Sequence, residues 1–135
     1  MLFSLAAFTP NLAGQDSSDD LKRLTGKWTV VAAEEAGAKK EGYTGTAMLI
    51  QGTKLTWVKP KIEDESIRLR IDSTQKPKHI DLEKSKDEVI RGIYSLEGDT
   101  LKVCMLVAES GNRPQEFVTK KGDHYRLLVL KREKQ

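Results

Sequence analysis

The chain has 135 residues, the size of one domain, and its 38% hydrophobic fraction supports a single modest core with little room for a second. Its 23 Lys and Arg stand against 20 Asp and Glu, a net charge of +3 with both signs interspersed, so no nucleic-acid surface is expected. The single cysteine, Cys104, excludes an intramolecular disulfide and a Cys-rich zinc site, leaving a buried strand thiol or an intermolecular crosslink.

Leu2, Phe3, Leu5, Ala6, Ala7 and Phe8 form an apolar run that Pro10 breaks, and Leu12, Ala13 and Gly14 then offer small residues for cleavage. That order is the order of an export signal. Residues 1–15 are therefore expected to be a signal segment and residues 16–135 the domain, secreted to the periplasm or outside the cell. No Lys or Arg precedes the run, so the alternatives are a truncated leader or a segment kept on a cytoplasmic protein. No stretch approaches the roughly 20 apolar residues that span a bilayer, and no transmembrane segment is expected.

Residues 17–25 are expected to form a helical turn or two, with Ser18 as cap, Asp19 and Asp20 at the positive N-terminus, and Leu21 and Leu24 on one face. So short a helix must lay that face on the sheet or over its open end. After Gly26, roughly eight short stretches alternate apolar and polar residues between Gly, Asp and Pro, which reads as an all-β domain.

Residues 27–34 place Trp28, Val30 and Ala32 on one side and Thr29, Val31 and Ala33 on the other, and a loop from Gly37 to Gly42 follows. Residues 44–51 and 54–59 form a hairpin around Gln51 and Gly52, with Leu55 and Trp57 sharing a face. Pro60 ends that arm, and a charged turn over 63–66 leads into Ile67, Leu69 and Ile71 alternating with Arg68, Arg70 and Asp72. Such alternation requires one dry face and one wet.

A short strand at 79–83 follows a loop held by Pro77, and strands at 89–96 and 100–107 flank a Glu97-Gly98-Asp99 turn. A loop at 108–116 precedes a brief extended piece at Phe117 and Val118 and a turn at Gly122 and Asp123. The last strand, 125–131, is apolar on both faces through Leu127, Leu128, Val129 and Leu130, so it must be central or covered. Consecutive hairpins without crossovers imply an antiparallel up-and-down barrel of about eight strands, with a sandwich as the alternative.

Residues 24–28, Leu-Thr-Gly-Lys-Trp, lead a helical turn into Gly-x-Trp and resemble the opening motif of lipocalin-like barrels. Residues 28–31 (Trp-Thr-Val-Val), 76–82 (Lys-Pro-Lys-His-Ile-Asp-Leu), 92–104, 113–117 and 127–132 add to it. Together these resemble the lipocalin-like domain family of unknown function that is abundant in planctomycete bacteria, over about residues 21–133. The resemblance implies a β-barrel and, often, export, and it brings no catalytic residue. In lipocalins generally a basic residue at the end of the last strand packs across the first-strand Trp and closes the barrel floor. Even-stranded closure sets Trp28 beside Arg132, so Arg132 is expected in that structural role, with Lys131 second.

Three readings of function follow. A non-enzymatic binding module would hold a small apolar ligand among Leu55, Trp57, Leu69, Ile71, Val103 and Met105, unless side chains fill the interior. An envelope or extracellular protein-interaction module would use the 108–117 loop through Arg113, Pro114, Glu116 and Phe117. The bland alternative there is a loop in which Arg113 pairs with Glu116 and Phe117 anchors the next strand. An enzyme is not expected, nor are a metal or cofactor: His79 and His124 are the only histidines, and Tyr94 and Cys104 show no activating partner. The basic tail of Lys131, Arg132 and Lys134 reads as solvated.

Overall fold

Short strands with one dry face are stable only when each finds a neighbour and the dry face finds a core, and these strands meet both needs by closing into a barrel. The structure, a computed structural model, describes residues 12–58 and 65–133. Helix α1 (Leu12–Leu24) precedes β1 (Gly26–Glu35), β2 (Ala38–Lys39), β3 (Ala47–Gln51), β4 (Lys54–Val58) and β5 (Glu65–Asp72). Then come β6 (Lys78–Glu83), β7 (Val89–Glu97), β8 (Thr100–Leu106) and β9 (Tyr125–Arg132). β3 to β9 pair in order, β1 pairs with both β3 and β9, and all ladders are antiparallel, so eight strands close and β2 is a short addition to β1.

The closing ladder sets Trp28 opposite Arg132 and Glu35 opposite Arg126, with a register shift between Val30 and Ala32. That shift is a β-bulge, which inserts one residue and turns the strand's later side chains over. The expected pattern for β1 is corrected accordingly: Trp28, Val30 and Ala33 are buried, while Ala32 is exposed. Inside, Ile50, Leu55, Leu69, Leu101 and Leu130 are at most 1% exposed and join one cluster. Each such side chain contributes roughly 2 kcal/mol through burial.

Helix α1 lies across the barrel end where β1 begins and β9 finishes. Over residues 17–24, Ser17, Asp20, Leu21 and Leu24 are buried or half-buried while Ser18, Asp19, Lys22 and Arg23 are exposed, which is the 3.6-residue period of one inward stripe. Two expectations are corrected: the helix starts at Leu12, so Ser18 lies inside it and caps nothing, and Asp20 sits in its second half facing inward. Residues 12–15 of the expected signal segment lie in this helix, and residues 1–11 fall outside the described residues, as do Pro60, Glu63 and Asp64. Ser66, placed in a turn by the sequence reading, belongs to β5 opposite Thr56.

A second, smaller core lies outside the barrel. Ile93, Cys104 and Leu127 point away from the interior and are covered by Phe117 and Tyr125, so the 107–124 segment is a strap over β7, β8 and β9. This is the cover that the two-faced apolar β9 required. Within the strap Pro114 is fully buried, and the Tyr125 hydroxyl donates to the Asn112 carbonyl at 3.1 Å. Gly92 permits close strand approach, because a Cβ there would lie 2.5 Å from the Cys104 carbonyl oxygen.

Candidate functional site

The two ends of the barrel differ in what fills them. At the floor, Trp28 is 0% exposed and its indole Nε1 donates to the Leu24 carbonyl at 2.9 Å. The Arg132 guanidinium lies 4.3 Å from the Trp28 ring centre, donates through Nη1 to the Thr25 carbonyl at 3.0 Å and through Nη2 to the Arg23 carbonyl. Its Nε stands 3.5 Å from Asp99. Carbonyls at a helix C-terminus lack intrahelical donors, so Arg132 both stacks on the indole and caps α1. Gly26, at φ +141°, leaves room for this, since a Cβ there would come 2.8 Å from the guanidinium. Lys131 points the other way and donates to the Thr100 hydroxyl at 2.7 Å.

Beside this contact, α1 carries a buried carboxylate into the floor. Asp20, 3% exposed, accepts from the Tyr94 hydroxyl at 2.6 Å, from Lys78 Nζ at 2.9 Å and from Arg23 at 3.4 Å. Burial pushes the Asp20 carboxyl up, but the Tyr94 and Lys78 hydrogen bonds and the Lys78 and Arg23 charges outweigh it and hold the group below its usual range. Tyr94 thus has a partner that the sequence did not reveal. Its effect is inert: burial and the Asp20 carboxylate push the phenol far up, so it keeps its proton.

At the opposite end the described residues leave the barrel open. A cavity of about 160 Å³ there is lined by Val30, Tyr43, Thr46, Trp57, Ile67, Leu82, Lys84, Ile90, Met105, Arg126 and Leu128. Below it the interior closes, leaving about 10 Å³ among Met48, Leu55, Ile80, Val103, Leu130 and their neighbours. A dry cavity of about 150 Å³ takes a benzene ring, and drug-sized pockets start at roughly 300 Å³. The mouth therefore fits one ring. A larger hollow of about 560 Å³ beside β1 lies outside the barrel; six of its eight lining residues, Val31, Ala32, Lys39, Lys40, Glu41 and Thr44, are exposed and only Ala33 is buried, so it encloses little.

Of the six expected cavity residues, Trp57 and Met105 line the mouth cavity, with Leu55 and Val103 on the small void below. Leu69 is fully buried in the filled interior and Ile71 packs half-buried against the same cluster. The lining residues that sequence reasoning missed are chiefly Tyr43, Lys84 and Arg126. Arg126 alone gave a signal: with Leu128, Leu130 and Arg132 it has the inward parity of β9. Its Nε donates to Glu35 at 2.6 Å, and its guanidinium lies 4.8 Å from the Tyr43 ring centre.

The strap places the remaining candidates. Arg113 pairs with Asp81 at 2.8 Å instead of with Glu116, and the same Nη1 reaches the carbonyls of Gly92 at 2.8 Å and Ile80 at 3.4 Å. Glu116 is exposed, and Phe117 packs on the outer core. His79 is half-buried near this ion pair; burial and then the Arg113 charge hold its imidazole below the usual value against the pull of Asp72 and Asp81. Cys104 lies under the strap, where burial and the Asp123 charge push the thiol to about 11. Among the described residues, no cluster of three or more His, Cys, Asp or Glu is placed to hold a metal ion, and no helix is long and apolar enough to cross a membrane. Family models, curated proteins and solved structures yield no match to the chain.

Proposed function

We propose that the protein is a non-enzymatic, lipocalin-like binding module that takes a small apolar ligand at the mouth of its barrel. The observation that carries this reading is the asymmetry of the interior. One end is plugged by α1, Trp28 and Arg132, the middle is filled, and the other end keeps an apolar cavity of about 160 Å³ walled by Trp57, Ile67, Leu82, Ile90 and Met105. Membership of the lipocalin-like family is part of the proposal and is supported by the opening motif, whose Gly26 and Trp28 meet Arg132 at the floor. The interaction-module reading has less support, because Arg113 and Phe117 are both engaged in holding the strap.

A ring-sized neutral ligand such as 3-phenylpropanol tests the reading. With about ten heavy atoms it should bind weakly, with a Kd on the order of 0.1 to 1 mM. Saturable change in tryptophan emission is expected in the wild type and not in Trp57→Phe, whose remaining Trp28 is sealed in the floor. No saturable change in the wild type, or the same change in Trp57→Phe, would contradict the proposal.

A further inference from the structure

Resting on that reading of the mouth, we infer that the ligand is a compact amphipathic anion, an aromatic ring bearing a carboxylate or similar acid, with the ring in the cavity and the acid at Arg126 and Lys84. Among the described residues, the cavity lining contains two cations and no carboxylate. Arg126 is half-buried beside the apolar wall, where the attraction of an opposite charge is stronger than in bulk solvent, while Lys84 stands exposed on the rim.

Arg126 is built into this position. It stands on the inward face of β9 directly above Leu128, its Nε edge is fixed by Glu35 at 2.6 Å, and Tyr43 lies against its plane at 4.8 Å. A guanidinium carries five N–H donors in a rigid fork. Glu35 takes the Nε donor, and among the described residues the Nη groups have no hydrogen-bond partner, so they remain for an acid that the cavity would orient. The Glu35 carboxylate is not among the cavity-lining residues. Lys84, at the turn after β6, contributes a second positive charge on the rim.

Size completes the selection. The filled interior below the mouth admits no alkyl chain, since only about 10 Å³ remains there. A ring of benzene size fits the upper cavity, and its acid is then left at the level of the two cations. A ligand cation would meet Arg126 and Lys84 with like charge, and a neutral ligand would gain a hydrogen bond from them but no ionic attraction.

The test compares 3-phenylpropanoate, 3-phenylpropanol and 3-phenylpropylamine by calorimetric titration of the full chain. The acid should bind at least about tenfold tighter than the alcohol and the amine weaker than the alcohol, with the acid's advantage shrinking as NaCl rises from about 50 to about 500 mM. Lys84→Gln, at an exposed position, and Arg126→Gln should each weaken the acid at least threefold more than they weaken the alcohol. Equal binding of acid and alcohol, or tightest binding of the amine, would overturn this inference while leaving the apolar mouth intact. Failure of both acid and alcohol to bind would overturn the mouth as a ligand site altogether.

Discussion

Arg132 lies 4.3 Å from the centre of the Trp28 ring while donating to the Thr25 carbonyl, so one side chain ties together the last strand, the first strand and the end of α1. Arg126 stands on the same inward face of β9 at the mouth, separated from Arg132 by Leu128 and Leu130. Strand β9 thus carries an arginine at each end of the core. The floor arginine is engaged by an indole and by carbonyls at the helix end, whereas the mouth arginine is held by Glu35 on its Nε edge and by the Tyr43 ring on its face, with no hydrogen bond to its Nη groups among the described residues.

Trp28→Ala should cost about 4 kcal/mol, because it removes a fully buried indole from a filled interior. Arg132→Ala should cost about 2 kcal/mol through the lost stacking and charged hydrogen bonds. The two share one contact, so the double variant should lose less than the sum, by at least about 0.5 kcal/mol. Urea unfolding of the three variants measures this, and strict additivity would speak against a coupled floor.

Asp20 makes the floor sensitive to acid. Its native carboxyl releases its proton at lower pH than the unfolded one, whose value is 3.8, so the stability it contributes is complete above that pH and is lost as pH falls through the native value. Asp20→Asn should remove that part of the acid dependence and lower stability at neutral pH by about 2 kcal/mol, since Lys78 and Tyr94 lose a charged acceptor. Unfolding free energy followed from pH 7 to pH 2 checks both, and parallel curves for wild type and variant would contradict the assignment.

The strap should open when its ion pair is removed. Arg113→Ala deletes hydrogen bonds to Asp81 and the Gly92 carbonyl and should cost about 2 kcal/mol. Cys104, buried and with a thiol pushed to about 11, should react slowly with a disulfide reagent at pH 8 in the wild type and at least tenfold faster in the variant. An unchanged labelling rate would mean that Phe117 and Pro114 hold the strap without Arg113.

Much of the barrel was legible because Ile67, Leu69 and Ile71 alternate with Arg68, Arg70 and Asp72, and because Glu97-Gly98-Asp99 and its counterparts mark the turns. The bulge in β1 was not, since Val30, Val31, Ala32 and Ala33 are all apolar and carry no marker of face. Asp20 was read as a helix-terminal acid, although its four-residue spacing from Leu24 put it on the inward stripe. The mouth was legible in part. Trp57 and Met105 announce themselves as inward apolar residues, but Tyr43 and Lys84 arrive from turns on separate strand connections, and only closure of the sheet brings them together.

Backbone amide and indole N–H NMR shifts during titration with 3-phenylpropanol test the central claim most directly, because they map where the ligand sits. The account predicts saturable shifts at the Trp57 indole and around Ile90, Met105 and Arg126, with the Trp28 indole and the strap residues Arg113 and Phe117 unmoved. Shifts centred on the floor or strap, or none that saturate, would contradict it.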